Sequence, residues 1–278
     1  MPMTTLTPDQ VASRIGELPP MPAAASKVLR LLNEKETTGE DLRKVIETDP
    51  GLTTSVLRLV NSALFNLPQR ITTLSHAIML LGFLRLRSLT LASVVAGLKE
   101  LIPPAAAQAR DAVWEHSVNV AVAARALSVK ANLAWSEEAF VAGLLHDTGS
   151  MILLVCEPDA YVAMLQSCEG ELPEPEQERE RLGLDHQQVG RLLLGNWNLA
   201  PQLVAAVGGH HGDEFEESEH GALVALVALA DRMMSHGTAL EACGLAATRL
   251  GFDTAQLGQL RDETMETVHE ERGELLTL

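Results

Sequence analysis

Aromatic side chains are scarce in this chain: they make up 3% of its 278 residues, although 46% of the residues are hydrophobic. A core with so few aromatics has to be built from Leu, Val, Ala and Ile. Antiparallel β-sandwiches are normally richer in Tyr, Phe, Trp and Thr, and no segment shows convincing alternation of period two. The composition therefore predicts an all-α fold.

Cysteine is sparser still. The three residues, Cys156, Cys168 and Cys243, are odd in number, far apart in sequence and without a Cys-x-x-Cys spacing. This pattern excludes a disulfide framework and argues against a thiolate zinc site. It fits a reducing compartment, so we expect a cytoplasmic protein.

Basic residues are too few to balance the acidic ones, with 21 Lys and Arg against 37 Asp and Glu and a net charge of -16. Such a chain repels phosphate backbones at long range. The segment from Arg70 to Arg87 holds three arginines, but it is too apolar to form a basic patch. A nucleic-acid partner is therefore not expected.

No uninterrupted apolar run reaches the length of a membrane span. The most apolar stretch, Ile78 to Val95, is interrupted by Arg85 and Arg87. The first residues, Met1 to Thr4, show neither a basic segment nor the start of an apolar one. We expect no membrane association and no signal sequence.

Helix-start signals recur along the chain. Thr37-x-x-Glu40 has the spacing of a capping box, and Asp49-Pro50 places an N-cap before a proline. Gly82 is expected to end the helix that begins near Ile71. Several short helices are predicted before Pro103-Pro104, which is the clearest internal boundary. After it we expect a helix from about Ala105 to Lys130.

The stretch from Cys168 to Arg181 is strongly acidic, with six glutamates. Like charges at this density gain nothing from burial. The sequence predicts a solvated loop or an exposed helix here.

Histidine and aspartate recur in apolar, helical surroundings over more than a hundred residues. The residues concerned are His116, His146, Asp147, His186, His210, His211 and Asp231. A buried, unpaired carboxylate is costly, so these side chains need a cation or several donors. A pair of metal ions would explain them together, with Asp147 using both oxygens to bridge. Nitrogen and oxygen ligands without sulfur favour iron or manganese, with nickel or zinc as alternatives.

Each of these residues also has a simpler interpretation. Asp185 could merely cap a helix that starts at His186. Asp231 could pair with Arg232, and His210-His211 could form an exposed turn before Gly212. Taken singly, these readings are the more common ones for such residues, and spacing alone leaves both open.

Residues 143–149 (GLLHDTG) resemble the motif of the HD superfamily of metal-dependent phosphohydrolases. Four further motifs, in order, resemble the HDOD domain, a signalling branch of that superfamily. They are LPPMP at 18–22, IxxDPGL at 46–52, VNSA at 60–63 and AIxxLG at 77–82. The resemblance implies an N-terminal helical bundle (1–102) packed on an HD-like helical core (103–237), followed by a helical extension (238–278).

The resemblance also implies a function. HDOD proteins are mostly regarded as non-catalytic bacterial regulatory modules that bind signalling partners. We therefore expect a protein partner, with homodimerisation as an option. The alternative is a metal-dependent phosphohydrolase acting on a nucleotide or other phosphoester, with the metals activating water.

The seven histidines and aspartates named above also fall, in order, on the metal-ligand pattern of the related HD-GYP branch, which hydrolyses cyclic di-GMP. Three positions depart from that branch. Ala112 stands where a glutamate can occur, Ser150 replaces a lysine, and Gly212-Asp213-Glu214-Phe215 replaces the glycine-tyrosine-proline loop. The resemblance implies a retained metal pair but not cyclic di-GMP hydrolysis.

Overall fold

The computed structural model describes residues 21–61, 69–168, 171–212, 215, 219–235 and 239–277, and the side chains of these residues except Glu219 and Glu274. The described residues contain α-helices and short 3₁₀ turns and no strand, which confirms the all-α prediction. Residues 18–20, 62–63 and 213–214, which belong to motifs discussed above, lie outside these ranges.

Among the described residues before Pro103, four α-helices pack together as a bundle. They are α1 (Ala23–Leu31), α2 (Gly39–Ile46), α3 (Pro50–Val60) and α4 (Leu74–Leu98). The capping box of α2 uses Thr38 and Asp41, so the box predicted at Thr37 and Glu40 is wrong by one residue. Asp49 caps α3 through the backbone N–H of Leu52, as predicted. After α3, the Asn61 side chain donates to the carbonyl of Ile71 (2.8 Å) and accepts from its N–H (2.7 Å).

Helix α4 links the bundle to the rest of the molecule. Helical geometry breaks at Gly82, which has φ 66°, and then resumes at once. The predicted stop at Gly82 is therefore a kink within a 25-residue element, because glycine adopts this left-handed φ without steric cost. The second half of α4 packs against α6 (Ser136–Leu145).

The described residues after Pro103 contain the remaining α-helices. They are α5 (Ala107–Lys130), α6, α7 (Thr148–Cys156), α8 (Pro158–Ser167), α9 (Pro175–Leu182), α10 (His186–Asn196), α11 (Pro201–Gly209), α12 (Glu219–Met234), α13 (Gly244–Arg249), α14 (Leu257–Glu271) and α15 (Gly273–Leu276). Helix α5 is central and packs against α6, α12 and α14. The aliphatic core runs without a break from Val28 to Leu275, and the boundaries at 102 and 237 stay predictions.

Two segments, Leu74–Leu101 and Ser136–Cys156, are long and apolar enough to cross a membrane by length and composition alone. In the second, 89% of the apolar window is buried inside the protein, and in the first 56%. Burial of this kind is typical of the core helices of a soluble domain. The interrupted apolar run at Ile78 to Val95 falls within the first segment.

Candidate metal centre

Helix ends and helix interiors together supply the seven candidate ligands. His146 and Asp147 form the junction between α6 and α7, and His186 is the first residue of α10. His210 and His211 directly follow α11, whereas His116 and Asp231 lie inside α5 and α12. Because adjacent residues of a regular helix point about 100° apart, the adjacent pairs can turn inward together only where the helix ends.

The structure brings all seven residues to one place, with the Asp147 carboxylate in the middle. Asp147 Oδ2 lies 3.3 Å from His146 Nε2 and 3.8 Å from His116 Nε2. Its other oxygen, Oδ1, lies 3.5 Å from His186 Nε2 and 3.8 Å from His210 Nε2. The two oxygens therefore face two different groups of ligands.

These groups can each hold an ion. His116, His146 and Asp231 place one ligand atom each within 4.8 Å of one another, and so do His186, His210 and His211. Asp231 Oδ1 is 3.0 Å from His116 Nε2, so Asp231 has a partner other than Arg232. His210 is completely buried and the His211 side chain is 25% exposed, so the exposed-turn interpretation of this pair is wrong.

Hydrogen bonds at the outer ring nitrogen orient three of the histidines. Nδ1 of His146 lies 2.6 Å from the Gly143 carbonyl oxygen, and Nδ1 of His210 lies 2.9 Å from the Val207 carbonyl oxygen. Nδ1 of His186 lies 2.7 Å from the Glu178 carboxylate. Since carbonyl and carboxylate oxygens accept, Nδ1 donates and the Nε2 lone pair faces the centre. Nε2 of His146 is buried with no hydrogen-bond partner, and Nε2 of His186 and His210 lie 3.2 Å apart. Such an arrangement requires a cation or a proton between the rings, and the donor set fits metal ions.

Charge coupling sets the protonation of the centre. Burial opposes charge on Asp147, but attraction to His146 and His186 holds its pKa well below the usual range. Burial likewise disfavours charge on His186, yet attraction to Glu178 and Asp147 outweighs it and raises the pKa to about 10. Burial lowers the pKa of His210 well below its usual value. Without another cation, protons on some rings have to balance the buried carboxylates.

A cavity of about 360 Å³ opens onto both groups of ligands. Its wall includes Asp147, His211, Glu171 and Glu174, and none of the described residues that line it is Lys or Arg. Glu174 Oε2 lies 3.5 Å from His211 Nδ1. The mouth of the candidate centre is therefore acidic.

The family model for the HDOD domain matches residues 18–212, about 70% of the chain. The chain belongs to the HDOD family. A curated protein of Treponema pallidum, described as uncharacterised, is 25% identical over 230 residues, which is 82% of this chain and 44% of that protein. The chain thus spans less than half the length of that relative.

Solved structures share the fold of this HDOD protein. A proposed phosphohydrolase from Shewanella amazonensis is 23% identical with a TM-score of 0.70, covering 95% of this chain and 97% of that one. An HDOD domain protein of unknown function from Geobacter sulfurreducens is 22% identical with a TM-score of 0.70, covering 92% and 97%. A proposed signal transduction protein from Marinobacter aquaeolei is 19% identical with a TM-score of 0.74, covering 99% of this chain and 63% of that one.

Glu178 is the residue of this HDOD site that the sequence analysis missed. It lies in the acidic stretch predicted to be solvated, yet it is completely buried, so the prediction is wrong at this position. Its Oε2 accepts from both the backbone N–H and the Nδ1–H of His186, each at 2.7 Å. Asp185 caps α10 as predicted, and His186 nevertheless faces the centre. Glu178 thus fixes the ring of one candidate ligand.

A close backbone approach between α7 and α10 brings His186 next to Asp147. A Cβ added at Gly149 would lie 1.9 Å from the His186 carbonyl oxygen. We expect Gly149→Ala to lower the free energy of unfolding by about 3 kcal/mol, the upper end for overpacking, because backbone cannot move aside easily. Urea denaturation measures the change. Gly195→Ala in α10, where a Cβ meets nothing within 4 Å, is the control and should not destabilise. Equal stability of Gly149→Ala and the parent would contradict the argument.

Proposed function

We propose that this chain is a cytoplasmic HDOD signalling module. In this proposal its core holds a pair of transition-metal ions, and it acts by binding a protein partner rather than by catalysis. The observation that carries the metal pair is the position of Asp147, whose two carboxylate oxygens face separate histidine groups. His116, His146 and Asp231 would hold one ion and His186, His210 and His211 the other, with Asp147 bridging. Iron or manganese suits this nitrogen and oxygen donor set best, with nickel or zinc as alternatives.

In this proposal the ions join helices that are far apart in sequence. Ligands from α5, the α6–α7 junction, α10, the end of α11 and α12 become one unit. Because the unfolded chain has no such site, ion binding stabilises the folded state by linkage, about 2.7 kcal/mol at a free-ion concentration a hundred times the Kd. The module could then present its surface to a partner in a rigid form.

Two features support a role other than phosphoester hydrolysis. Glu171 and Glu174 line the mouth of the centre, and no described Lys or Arg lines it to attract a phosphate. Ser150, which stands where HD-GYP proteins have a lysine, is buried in the wall of the same cavity. An acidic mouth disfavours entry of an anionic substrate. A partner-binding role agrees with the signalling description of the Marinobacter aquaeolei protein.

The second candidate function is a metal-dependent phosphohydrolase. The observation that favours it is the cavity of about 360 Å³, which gives a small molecule access to both groups of ligands. A bound pair of ions would supply Lewis-acid activation of a phosphoester. The chain's own part would be to orient the ligand rings through Gly143, Val207 and Glu178 and to exclude bulk water.

Two measurements on the same sample, purified without added chelator, test both candidate functions. They are elemental analysis and a screen for phosphodiesterase and phosphomonoesterase activity. We expect close to two transition-metal ions per chain, a lower Tm after chelation, and no turnover. Turnover that disappears on chelation and returns with metal would replace the first candidate by the second. Absence of metal that cannot be restored by adding iron, manganese, nickel or zinc would contradict both.

A further inference from the structure

A second cavity of about 420 Å³ lies beside the candidate metal centre, between α5, the end of α12 and α14. The two cavities share part of their walls, including His116, Leu172 and Ser235. Helix α14 belongs to the C-terminal extension, outside the residues 18–212 that match the HDOD family. Membership of the HDOD family therefore does not identify a ligand for this cavity.

One face of α14 lines the cavity. The residues on it are Arg261, Met265, Val268, His269 and Arg272, whose spacing of four, three, one and three residues is that of a single helical stripe. Ion pairs with α5 hold the helix in place: Lys130 with Glu263 (2.5 Å) and Arg125 with Glu271 (2.7 Å). The stripe is thus presented to the cavity by a fixed element.

Two arginines face this cavity in a strongly acidic part of the chain. Residues 103–278 contain ten Lys and Arg against 28 Asp and Glu. Arg272 is engaged by α5, because its Nη1 contacts Glu115 Oε1 (2.8 Å) and Asn119 Oδ1 (3.1 Å). Arg261 forms no hydrogen bond or ion pair with any residue that the structure describes. Among the described residues on the wall, the carboxylates are Glu115 and Glu171, and Glu171 is solvent-exposed.

The rest of the wall is apolar and adaptable. Three of the nine methionines of the chain, Met233, Met234 and Met265, line this cavity. Met265 lines the cavity and is 44% exposed, so its side chain is accessible to a ligand. Methionine side chains are flexible and polarisable, and they are frequent at surfaces that accept varied apolar and aromatic ligands. A guanidinium that has no ion-pair partner among the described residues, beside such a wall, complements a molecule with an apolar body and one negative group.

We propose that this cavity is a binding site for a small organic anion, with the anionic group at Arg261 and a flat apolar body against Met233 and Met265. The site is distinct from the metal centre but adjoins it through His116. It does not require metal ions, so its test is independent of the proposed function. The chemical class is an aromatic or otherwise apolar carboxylate, sulfonate or phosphate.

Isothermal titration calorimetry with naphthalene-2-sulfonate tests the site, because this probe combines a flat apolar body with a permanent charge and contains no phosphoester. We expect saturable binding at one site per chain and much weaker binding of the neutral naphthalene-2-sulfonamide. Arg261→Gln should raise the Kd for the sulfonate at least tenfold, equivalent to about 1.4 kcal/mol. The full-length protein is used, with its metal content measured in parallel.

Arg30→Gln is the matched control, since it removes one positive charge from an exposed position of α1. It should leave the Kd unchanged, and the Tm of Arg261→Gln should stay close to that of the parent. The proposal is overturned if the sulfonate does not bind, if it binds Arg261→Gln as tightly as the parent, or if the sulfonamide binds equally well. Absence of metal that added iron, manganese, nickel or zinc does not restore would contradict the proposed function, and this result would still decide the anion site by itself.

Discussion

Asp147→Asn is expected to abolish binding of both metal ions while the helical fold persists. The substitution keeps the size of the side chain but replaces one oxygen by an N–H donor. Because Oδ1 faces His186 and His210 and Oδ2 faces His146 and His116, either orientation of the amide turns a donor toward one group. The negative charge that both ions would share is lost as well. Loss of an outer-sphere partner costs about 10–100-fold in metal affinity, and loss of a bridging ligand should exceed that.

Metal content by elemental analysis and Tm with and without chelator measure the effect. We expect the parent to lose stability on chelation and Asp147→Asn to show no response. The control is Asp159→Asn, an exposed residue in the first turn of α8, which removes the same charge at a distance from the centre. Retention of two ions per chain by Asp147→Asn would show that Asp147 is not the bridge.

The candidate ligands could be identified from the sequence because they are ionisable side chains in helices that are otherwise apolar. Asp147 follows a buried run that ends at Leu145, and Asp231 follows another that ends at Ala230. Burial of a carboxylate demands a partner, and this requirement can be inferred without coordinates. The convergence of the seven residues depends on how α5, α10 and α12 pack, which the sequence alone does not determine. Their role as ligands stays a prediction.

Glu178 was missed because the local density of negative charge predicts exposure, whereas the packing of the folded protein buries this residue. Five other glutamates surround it in the stretch from Cys168 to Arg181, which favours a solvated segment. In the structure, Pro175, Glu178 and Leu182 form the buried face of α9. Their spacing of three and four residues is that of one helix face, so a helical reading that starts at Pro175 could have singled out Glu178.

The exact ends of some helices could not be predicted from the sequence either. Thr37-Thr38 and Glu40-Asp41 offer two equivalent capping boxes one residue apart, and the sequence cannot choose between them. In the structure Thr38 is the cap, and the helix that it starts buries Leu42, Val45 and Ile46. The helix was expected to end at Gly82, but in the structure only its geometry breaks there. That the helix resumes immediately follows from the burial of the second half of α4 against α6.

Glu178→Gln is expected to weaken metal binding about tenfold, and Glu178→Ala about a hundredfold. Oε2 of Glu178 alone accepts both hydrogen bonds from His186, so a glutamine oxygen can keep them. Glutamine removes the negative charge that makes the His186 ring more basic and a better ligand, and it places an NH₂ group at the buried position of Oε1. Alanine also removes the orientation of the ring and leaves the buried His186 N–H groups without this acceptor, which costs about 1–3 kcal/mol for each unsatisfied group.

Competition with a chelator of known affinity measures the metal Kd, and urea denaturation of the metal-free proteins measures stability separately. A positioning role predicts that Glu178→Gln changes the metal Kd more than the stability of the metal-free protein, whereas Glu178→Ala changes both. Glu180→Gln is the matched control, since it removes one charge from an exposed position on the same helix. If Glu178→Gln and Glu180→Gln bind metal equally well, Glu178 acts only in packing α9 against α10. The acidic stretch would then have no part in the centre beyond lining its mouth.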